Sequence, residues 1–344
     1  MKNVNVLKKI SNLLVVLTGI ILALLVMILI LAKNPKILQK PTISQIEKKL
    51  SDVENSFPNG YEGKKIKYGY RLVSESSKWM GPEAVNPENR YAGNNLACKN
   101  CHLNIGTKAG SASWVGISNR FPQFRGRENK IGTLEDRING CMERSMNGKK
   151  LPVNSPQMEA MVAYMDWLSE DVPEEMANSY KGFTKVKLPD IAIDPTKGKD
   201  IYLKECSSCH GIEGQGVRFT GSDFSKGYLY PPLWGPDSYN HGAGMHRVIT
   251  AAEFIKANMP FGQASKENPT LSDEEALLVA AYIDSFDRPL KSNPENDFPD
   301  KKLKPVSTPY GPWEDPFTAE QHKYGPYKPI MDYYDKEFGI KKNK

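Results

Sequence analysis

The sequence has no strong excess of charge of either sign, and it has few cysteines. Its 46 lysines and arginines against 40 acidic residues leave a net charge of +6. No stripe of basic residues interleaves with aromatic residues, which argues against nucleic-acid binding. Cysteine occurs five times in 344 residues. With so few, the position of each cysteine can be interpreted separately.

Long apolar runs are also scarce, and the exception lies at the N-terminus. Leu13–Ala32 is uncharged and follows Lys2, Lys8 and Lys9. Twenty helical residues span about 30 Å, the thickness of a bilayer core. A cleaved signal peptide is the alternative, but its apolar region is shorter and ends in a small-residue cleavage site, which is poor here. We therefore predict an uncleaved anchor in the inner membrane, with the remainder in the periplasm.

Four of the five cysteines form two C-x-x-C-H motifs, the attachment signature of c-type haem. The two cysteines bind the haem vinyl groups, and the histidine reaches the iron. A zinc ribbon would have only about 15–20 residues between its pairs, and a thioredoxin-like pair requires a βαβ context that the sequence lacks. The sequence thus predicts two covalently bound haem c groups, attached through Cys98, Cys101 and His102 and through Cys206, Cys209 and His210.

A weak internal repeat supports two related halves. The segments 162–168 and 280–286, VAYMDWL and AAYIDSF, are similar at an offset of 118. Each is predicted to be helical. Ser155 offers an N-cap before a proline for the first helix, and Ser272 with Glu275 forms a capping box for the second. We interpret the two as the closing helices of two cytochrome domains.

Each domain needs a second axial ligand to its iron. In the second half the best candidate is Met259, which precedes a proline, and the offset of 118 places Cys141 at the equivalent position. The only unpaired cysteine therefore falls where the other domain has its predicted ligand. A small buried thiol is the simpler interpretation of such a cysteine. Other candidates remain, namely Met245, His241 and His246 in the second half and Met142 and Met146 in the first.

A thiolate ligand at Cys141 indicates sulfur chemistry. It lowers the reduction potential of a haem, whereas a thioether raises it, and thiolate sulfur is also a nucleophile. Arg127, Arg137, Arg144 and Ser145 lie within fourteen residues of Cys141. Arginine binds oxyanions through paired, charge-assisted hydrogen bonds. If Arg137 and Cys141 share a helix, their i, i+4 spacing puts them on one face. A solvated basic surface is the alternative to a pocket for a sulfur oxyanion.

At these residues the chain resembles the dihaem thiosulfate dehydrogenase or tetrathionate reductase family of c-type cytochromes. The resemblance covers roughly residues 60–330. It is carried by NLACKNCH at 95–102, RINGCMERSMNG at 137–148, NMP at 258–260 and two short tail segments, YGP at 310–312 and QHKYGP at 321–326. The Cys141 segment is the most specific of these.

The resemblance implies an all-α protein with two cytochrome c domains that interconverts two thiosulfate ions and tetrathionate with the exchange of two electrons. It places His102 and Cys141 on the active-site haem, and His210 and Met259 on the electron-transfer haem. It also implies that Arg127, Arg137 and Ser145 line the pocket. The electron partner is expected to be a periplasmic cytochrome or a membrane electron-transfer component. The alternative is a membrane-anchored dihaem electron carrier without a substrate.

These interpretations give four regions. We predict a membrane anchor over 1–33, a first cytochrome domain over 34–185, a second over 186–290 and a wrapping tail over 291–344. The tail contains many prolines, so we expect it to be irregular until about Met331.

Overall fold

The structure is a computed structural model that describes residues 2–33, 41–342 and 344. The chain divides into two compact units, residues 1–48 and 49–344. The first unit contains α1 (Lys2–Lys33) and the start of α2 (Ile43–Ser51). Within α1, Lys8–Ile30 has a mean hydropathy of 3.3 and is long and apolar enough to cross a membrane. The predicted start of the first cytochrome domain, at residue 34, lies outside the described residues.

The second unit begins with the first cytochrome domain, which is mainly helical. A short antiparallel hairpin, β1 (Gln123–Arg125) and β2 (Lys130–Gly132), precedes the helix that carries Cys141. The helices are α3 (Gly60–Ser74), α4 (Ser76–Met80), α5 (Leu134–Arg144), α6 (Pro156–Ser169) and α7 (Glu174–Tyr180).

The second cytochrome domain has a similar composition of elements. Its hairpin pairs β3 (Val217–Arg218) with β4 (Tyr228–Tyr230). The helices are α8 (Gly198–Glu205), α9 (Ser207–His210), α10 (Val248–Asn258) and α11 (Asp273–Ser285). The predicted domain boundary at 185/186 falls between α7 and α8. The two mainly helical domains that the sequence predicts are therefore confirmed.

The two closing helices, α6 and α11, form where the repeat predicts them. The Ser155 hydroxyl accepts a hydrogen bond from the Met158 amide at 3.2 Å, which caps α6. Ser272 and Glu275 bond reciprocally, at 3.2 and 2.9 Å, and cap α11. These caps satisfy amides that have no partner within the helix.

Each closing helix packs very closely against the helix that leads into a haem motif. A Cβ atom on Gly69 of α3 would lie 2.0 Å from the carbonyl oxygen of Ala160, and one on Gly198 of α8 would lie 2.1 Å from that of Leu278. Ala160 and Leu278 are themselves separated by the offset of 118. Glycine is required at both crossings because any side chain would overlap the facing backbone. The repeat is thus a structural one.

The tail is less irregular than predicted. It contains α12 (Ala319–Tyr324) and α13 (Lys328–Phe338), both of which begin before Met331. Proline at the second position of α13 is tolerated because the first-turn amides of a helix have no internal partner. Tyr327, Ile330 and Tyr334 are buried in the hydrophobic core of the second domain. This burial stabilises helices that the proline content argued against.

Candidate active site

The first haem motif presents its histidine to a cavity. Cys98–Asn100 form a single 3₁₀ turn, which brings His102 beside Trp114 with ring centroids 4.7 Å apart. The Nδ1 atom of His102 is hydrogen-bonded to the Ala112 carbonyl at 2.9 Å. This contact orients the ring and keeps Nε2 available as a metal ligand.

Cys141 lies on α5, and so does Arg137. A capping box between Thr133 and Asp136 starts the helix. The Arg137 guanidinium donates to the Cys141 sulfur at an N–S distance of 2.6 Å. The conditional prediction that these two residues share a helix and face the same side is confirmed.

One cavity contains the side chains on which the predicted chemistry depends. His102, Arg137, Cys141 and Ser145 all line it, together with a mainly apolar wall that includes Trp114, Leu134, Ile138, Met142, Met146 and Met161. Folding thus brings together residues 102 and 141, which are far apart in the sequence. An apolar wall with a few convergent polar groups is typical of a cofactor or ligand site.

The cavity lining also includes four polar residues that sequence reasoning did not identify, namely Ser113, Arg120, Gln123 and Lys181. Arg120 donates weakly to the Ser113 carbonyl at 3.5 Å, and its Nε is buried without a hydrogen-bond partner among the described residues. Burial, and after it the charge of Arg137, lower the pKa of Arg120. No motif marks Arg120 in the sequence, because it precedes Cys141 by 21 residues and lies at the end of a single 3₁₀ turn, Ser118–Arg120.

The charge around Cys141 favours its thiolate. Burial raises the pKa of the thiol, but the attraction of Arg137, the contact with His102 and the field of Arg144 outweigh burial. The net effect lowers the pKa of Cys141 to about 5. A thiolate near neutral pH is the form that binds iron and reacts as a nucleophile.

Arg127, which the sequence analysis expected in the pocket, is not among the residues that line this cavity. Its Nη1 donates to Asp297 at 2.7 Å, to the Gly242 carbonyl at 3.0 Å and to the Tyr310 hydroxyl at 3.1 Å. The guanidinium is therefore paired with a carboxylate from the tail, a contact between residues 170 positions apart that no local sequence pattern predicts.

The second haem motif has the same histidine geometry. The Nδ1 atom of His210 is hydrogen-bonded to the Pro231 carbonyl at 2.8 Å, and the residue is buried. Met259 immediately follows α10 and packs, with Cys206 and Met245, against the core of the second domain.

The competing histidines of the second domain also have Nδ1 hydrogen-bonded. His241 accepts the Lys291 amide at Nδ1, at 2.8 Å, and its ring packs against Tyr310 of the tail. His246 uses Nδ1 to bond the His241 carbonyl at 3.0 Å. Because the same kind of contact orients His102 and His210, these bonds do not decide between Met259 and the two histidines, and Met259 stays the predicted second ligand.

Both motifs fit a covalently attached haem. Each supplies two cysteine thiols and a histidine whose Nδ1 is fixed by a backbone carbonyl. The first motif also opens on a cavity with a thiolate-forming cysteine.

Comparison with known proteins agrees with this fit. Residues 88–173 match the SoxA/TsdA cytochrome c domain family, and residues 195–287 match the cytochrome c family. With two cytochrome c domains, the chain carries two covalently bound haem c groups.

The chain is also similar to whole proteins. It is 39% identical over 262 residues to the thiosulfate dehydrogenase of Psychrobacter arcticus, covering 76% of this chain and 72% of that protein. It is 40% identical over 244 residues to the thiosulfate dehydrogenase of Allochromatium vinosum, covering 70% and 84%.

Among solved structures, the thiosulfate dehydrogenase TsdBA of Marichromatium purpuratum superposes with a TM-score of 0.62 at 33% identity. The match covers 70% of this chain and 49% of that one, so it spans about half the length of the TsdBA chain.

Proposed function

The chain belongs to the thiosulfate dehydrogenase family of dihaem c-type cytochromes, and from this premise we propose that it joins two thiosulfate ions to tetrathionate, reversibly, at Cys141. The observation that carries the proposal is the 2.6 Å contact between Arg137 and the Cys141 sulfur in the cavity that His102 also lines. The alternative of a carrier without a substrate is not favoured, because the family consists of enzymes.

The cavity is suited to anions that repel each other. Two thiosulfate dianions must approach to form the central sulfur–sulfur bond. At 4 Å and an effective dielectric constant of ~20, each pair of unit charges contributes about 4 kcal/mol. Arg137 and Arg120 supply positive charge at the cavity wall, and Ser145 supplies a hydroxyl. Arg127, the third arginine expected in the pocket, is paired with Asp297 and does not line the cavity.

Cys141 offers a route with a covalent intermediate. Its thiolate sulfur bonds to the outer sulfur of one thiosulfate, which releases two electrons and leaves a sulfonate-capped disulfide on the cysteine. The outer sulfur of a second thiosulfate then attacks the sulfonate-bearing sulfur. This step releases tetrathionate and restores the thiolate, so atoms and charge balance. Splitting the coupling in this way is ordinary nucleophilic catalysis.

When bound, the two haems would supply the acceptor for the two electrons, one each. Under this proposal His102 and Cys141 would hold the first haem, and His210 and Met259 would hold the second. A thioether ligand favours the reduced state relative to a thiolate. These residues would therefore favour electron transfer from the first domain to the second, and the final acceptor would be a periplasmic cytochrome or a membrane electron-transfer component.

We place the enzyme in the periplasm, anchored to the inner membrane by α1. The support is the exposed apolar segment Lys8–Ile30 and the basic residues before it. Haem attachment to C-x-x-C-H motifs is consistent with an exported chain.

One experiment tests both activity and location. Membrane and soluble fractions of cells that produce the full chain are assayed separately, with thiosulfate plus an electron acceptor and with tetrathionate plus a donor. We expect both activities in the membrane fraction. Haem-loaded protein that reacts with neither substrate would refute the reaction, and active protein recovered in the soluble fraction, beginning near residue 33, would refute the anchor.

A further inference from the structure

A buried group of positive charges lies between the two cytochrome domains and the tail. We call it the basic cluster. It comprises six cationic side chains and two carboxylates, namely Arg125, Arg127, Arg144, Arg247, Lys291 and Lys304 with Glu128 and Asp297. The side chains of Arg127, Arg144, Lys291 and Asp297 are each no more than 13% exposed.

The two carboxylates are shared among several cations. Asp297 lies 2.7 Å from Arg127, 3.6 Å from Lys291 and 4.0 Å from Arg144. Glu128 lies 2.9 Å from Arg125 and 3.5 Å from Arg144.

Two members of the cluster have no carboxylate within ion-pair distance among the described residues. Lys304 donates to the Pro312 carbonyl and lies 4.7 Å from the centroid of the Tyr310 ring. Arg247 makes only a 3.4 Å bond to the Gly244 carbonyl.

Nearby acids do not neutralise these charges. Glu253 is paired with Lys185 and Lys344, at 3.0 and 2.8 Å. Asp315 is bound to His322 at 2.9 Å. The cluster thus has a surplus of four positive charges.

Burial and crowding of like charges lower the pKa values within the cluster. Burial, followed by the charge of Arg127, lowers the pKa of Arg144 to about 10 and that of Arg247 to about 10. Burial and neighbouring lysine and arginine charges lower the pKa of Lys304 to about 8. A buried charge without a partner is strongly destabilising. Such a surplus therefore calls for anions that the protein itself does not supply.

The cluster lies at the junction of the two haem domains. Arg144 follows Cys141 by three residues and folds back over α5, so that a Cβ atom on Gly140 would lie 2.3 Å from its Nη2. Arg247 directly precedes α10, the helix that ends at Met259. The Asn240 amide donates to the Arg144 carbonyl at 3.2 Å, which joins the two regions.

We propose that the basic cluster binds the propionate groups of the haems. Each haem carries two carboxylates, which can compensate positive charges that the cluster's own carboxylates leave unpaired. Arginine and lysine are suited to carboxylates in a partly desolvated site. This assignment depends on the two haems and is independent of the thiosulfate chemistry.

If the basic cluster binds the propionates, its positive charges affect the reduction potentials of the haems. A cation next to a haem stabilises the reduced, less positive state. Removing it favours the oxidised state and allows a propionate to take up a proton nearer to neutral pH, because the opposite charge no longer stabilises its ionised form. The tail residues Lys291, Asp297 and Lys304 therefore act on the cofactors as well as on folding.

The test uses the full haem-loaded protein without thiosulfate or tetrathionate. Midpoint potentials of both haems are measured from about pH 5 to about pH 9 in Arg247→Gln and Lys304→Gln. Arg247→Lys retains the charge, and the exposed Lys341→Gln is the matched surface control. Haem content is measured for each variant and is expected to stay at two per chain, because the thioether bonds are unchanged.

We expect Arg247→Gln and Lys304→Gln to lower the potential of at least one haem and to make it more pH-dependent, while Arg247→Lys stays close to wild type. Potentials that match those of Lys341→Gln at every pH would overturn the proposal. Since no turnover is needed, a failure of the proposed reaction does not affect this measurement.

Discussion

The two cytochrome domains share a common frame, which consists of the contact between the entering and closing helices and the fixed Nδ1 of the haem-motif histidine. They differ in the residue that is predicted to be the second iron ligand. In both, a glycine lets the entering helix contact the closing helix, and a backbone carbonyl fixes Nδ1 of the haem-motif histidine. The first domain has Cys141 within α5, and the second has Met259 one residue beyond α10. Aligned positions in one fold can thus lie in different local structures.

The residues around Cys141 and Met259 also differ between the two domains. At the offset of 118, Arg137 corresponds to Ile255, which is buried in the apolar core, and Ser145 corresponds to Gln263. The first domain therefore has charge where the second has apolar packing. Under our proposal, the same small fold provides a site for anions in one copy and an electron-transfer site in the other.

The strongest test of this difference removes each proposed distal ligand in turn. Cys141→Ala should lower turnover of thiosulfate and tetrathionate by at least about a thousandfold, because nucleophile and thiolate ligand are lost together. Met259→Ala should change the potential and spectrum of the second haem only. Both proteins should retain two covalently bound haems, since His102, His210 and the thioether cysteines are unchanged.

Two outcomes would contradict the assignment. Near-normal turnover in Cys141→Ala would eliminate its catalytic role. An unchanged second haem in Met259→Ala would show that another residue, such as Met245 or His246, is the ligand there.

A smaller but still large effect is expected from the cavity arginines. Arg137→Ala should reduce kcat/KM by about 10²–10³-fold, the usual cost of losing one preorganised electrostatic group. Arg120→Ala should cause a loss of the same order, because its guanidinium faces the same cavity without a carboxylate partner among the described residues. Electron transfer to a small redox mediator should be retained in both.

Arg71, an exposed arginine of α3, provides the control. Arg71→Ala should stay within about twofold of wild type, as expected at a solvated site. Arg127→Ala tests whether Arg127 contacts the substrate. A loss of kcat/KM as large as that of Arg137→Ala would place the Arg127 guanidinium on the substrate. If Arg120→Ala and Arg137→Ala both behave like the control, the anion site lies elsewhere.

The smallest effect concerns the shared frame. Gly69→Ala and Gly198→Ala each place a methyl group about 2 Å from a facing carbonyl oxygen, so each helix pair must separate. Overpacking of this kind costs about 1–3 kcal/mol. Thermal unfolding of the haem-loaded variants should show comparable destabilisation. A large loss at one crossing and none at the other would show that the two domains do not share this contact.

Much of the frame could be predicted from the sequence because its signals are local. The haem motifs, the cap residues Ser155 and Ser272, and the offset that pairs Cys141 with Met259 depend on spacing along the chain. The i, i+4 relation of Arg137 and Cys141 is equally local, since it requires only that they share one helix. These features follow from helix geometry and from covalent haem attachment, which need no knowledge of distant contacts.

The tertiary structure decided the rest. It placed Arg120 in the cavity, paired Arg127 with Asp297 and ordered α12 and α13 in a proline-rich tail. Each of these results depends on contacts between residues far apart in the sequence, where burial determines which charges meet and which helices are stabilised. Local sequence signals specified the two haem sites, whereas the packing of two domains and a tail determined where the surplus positive charge collects.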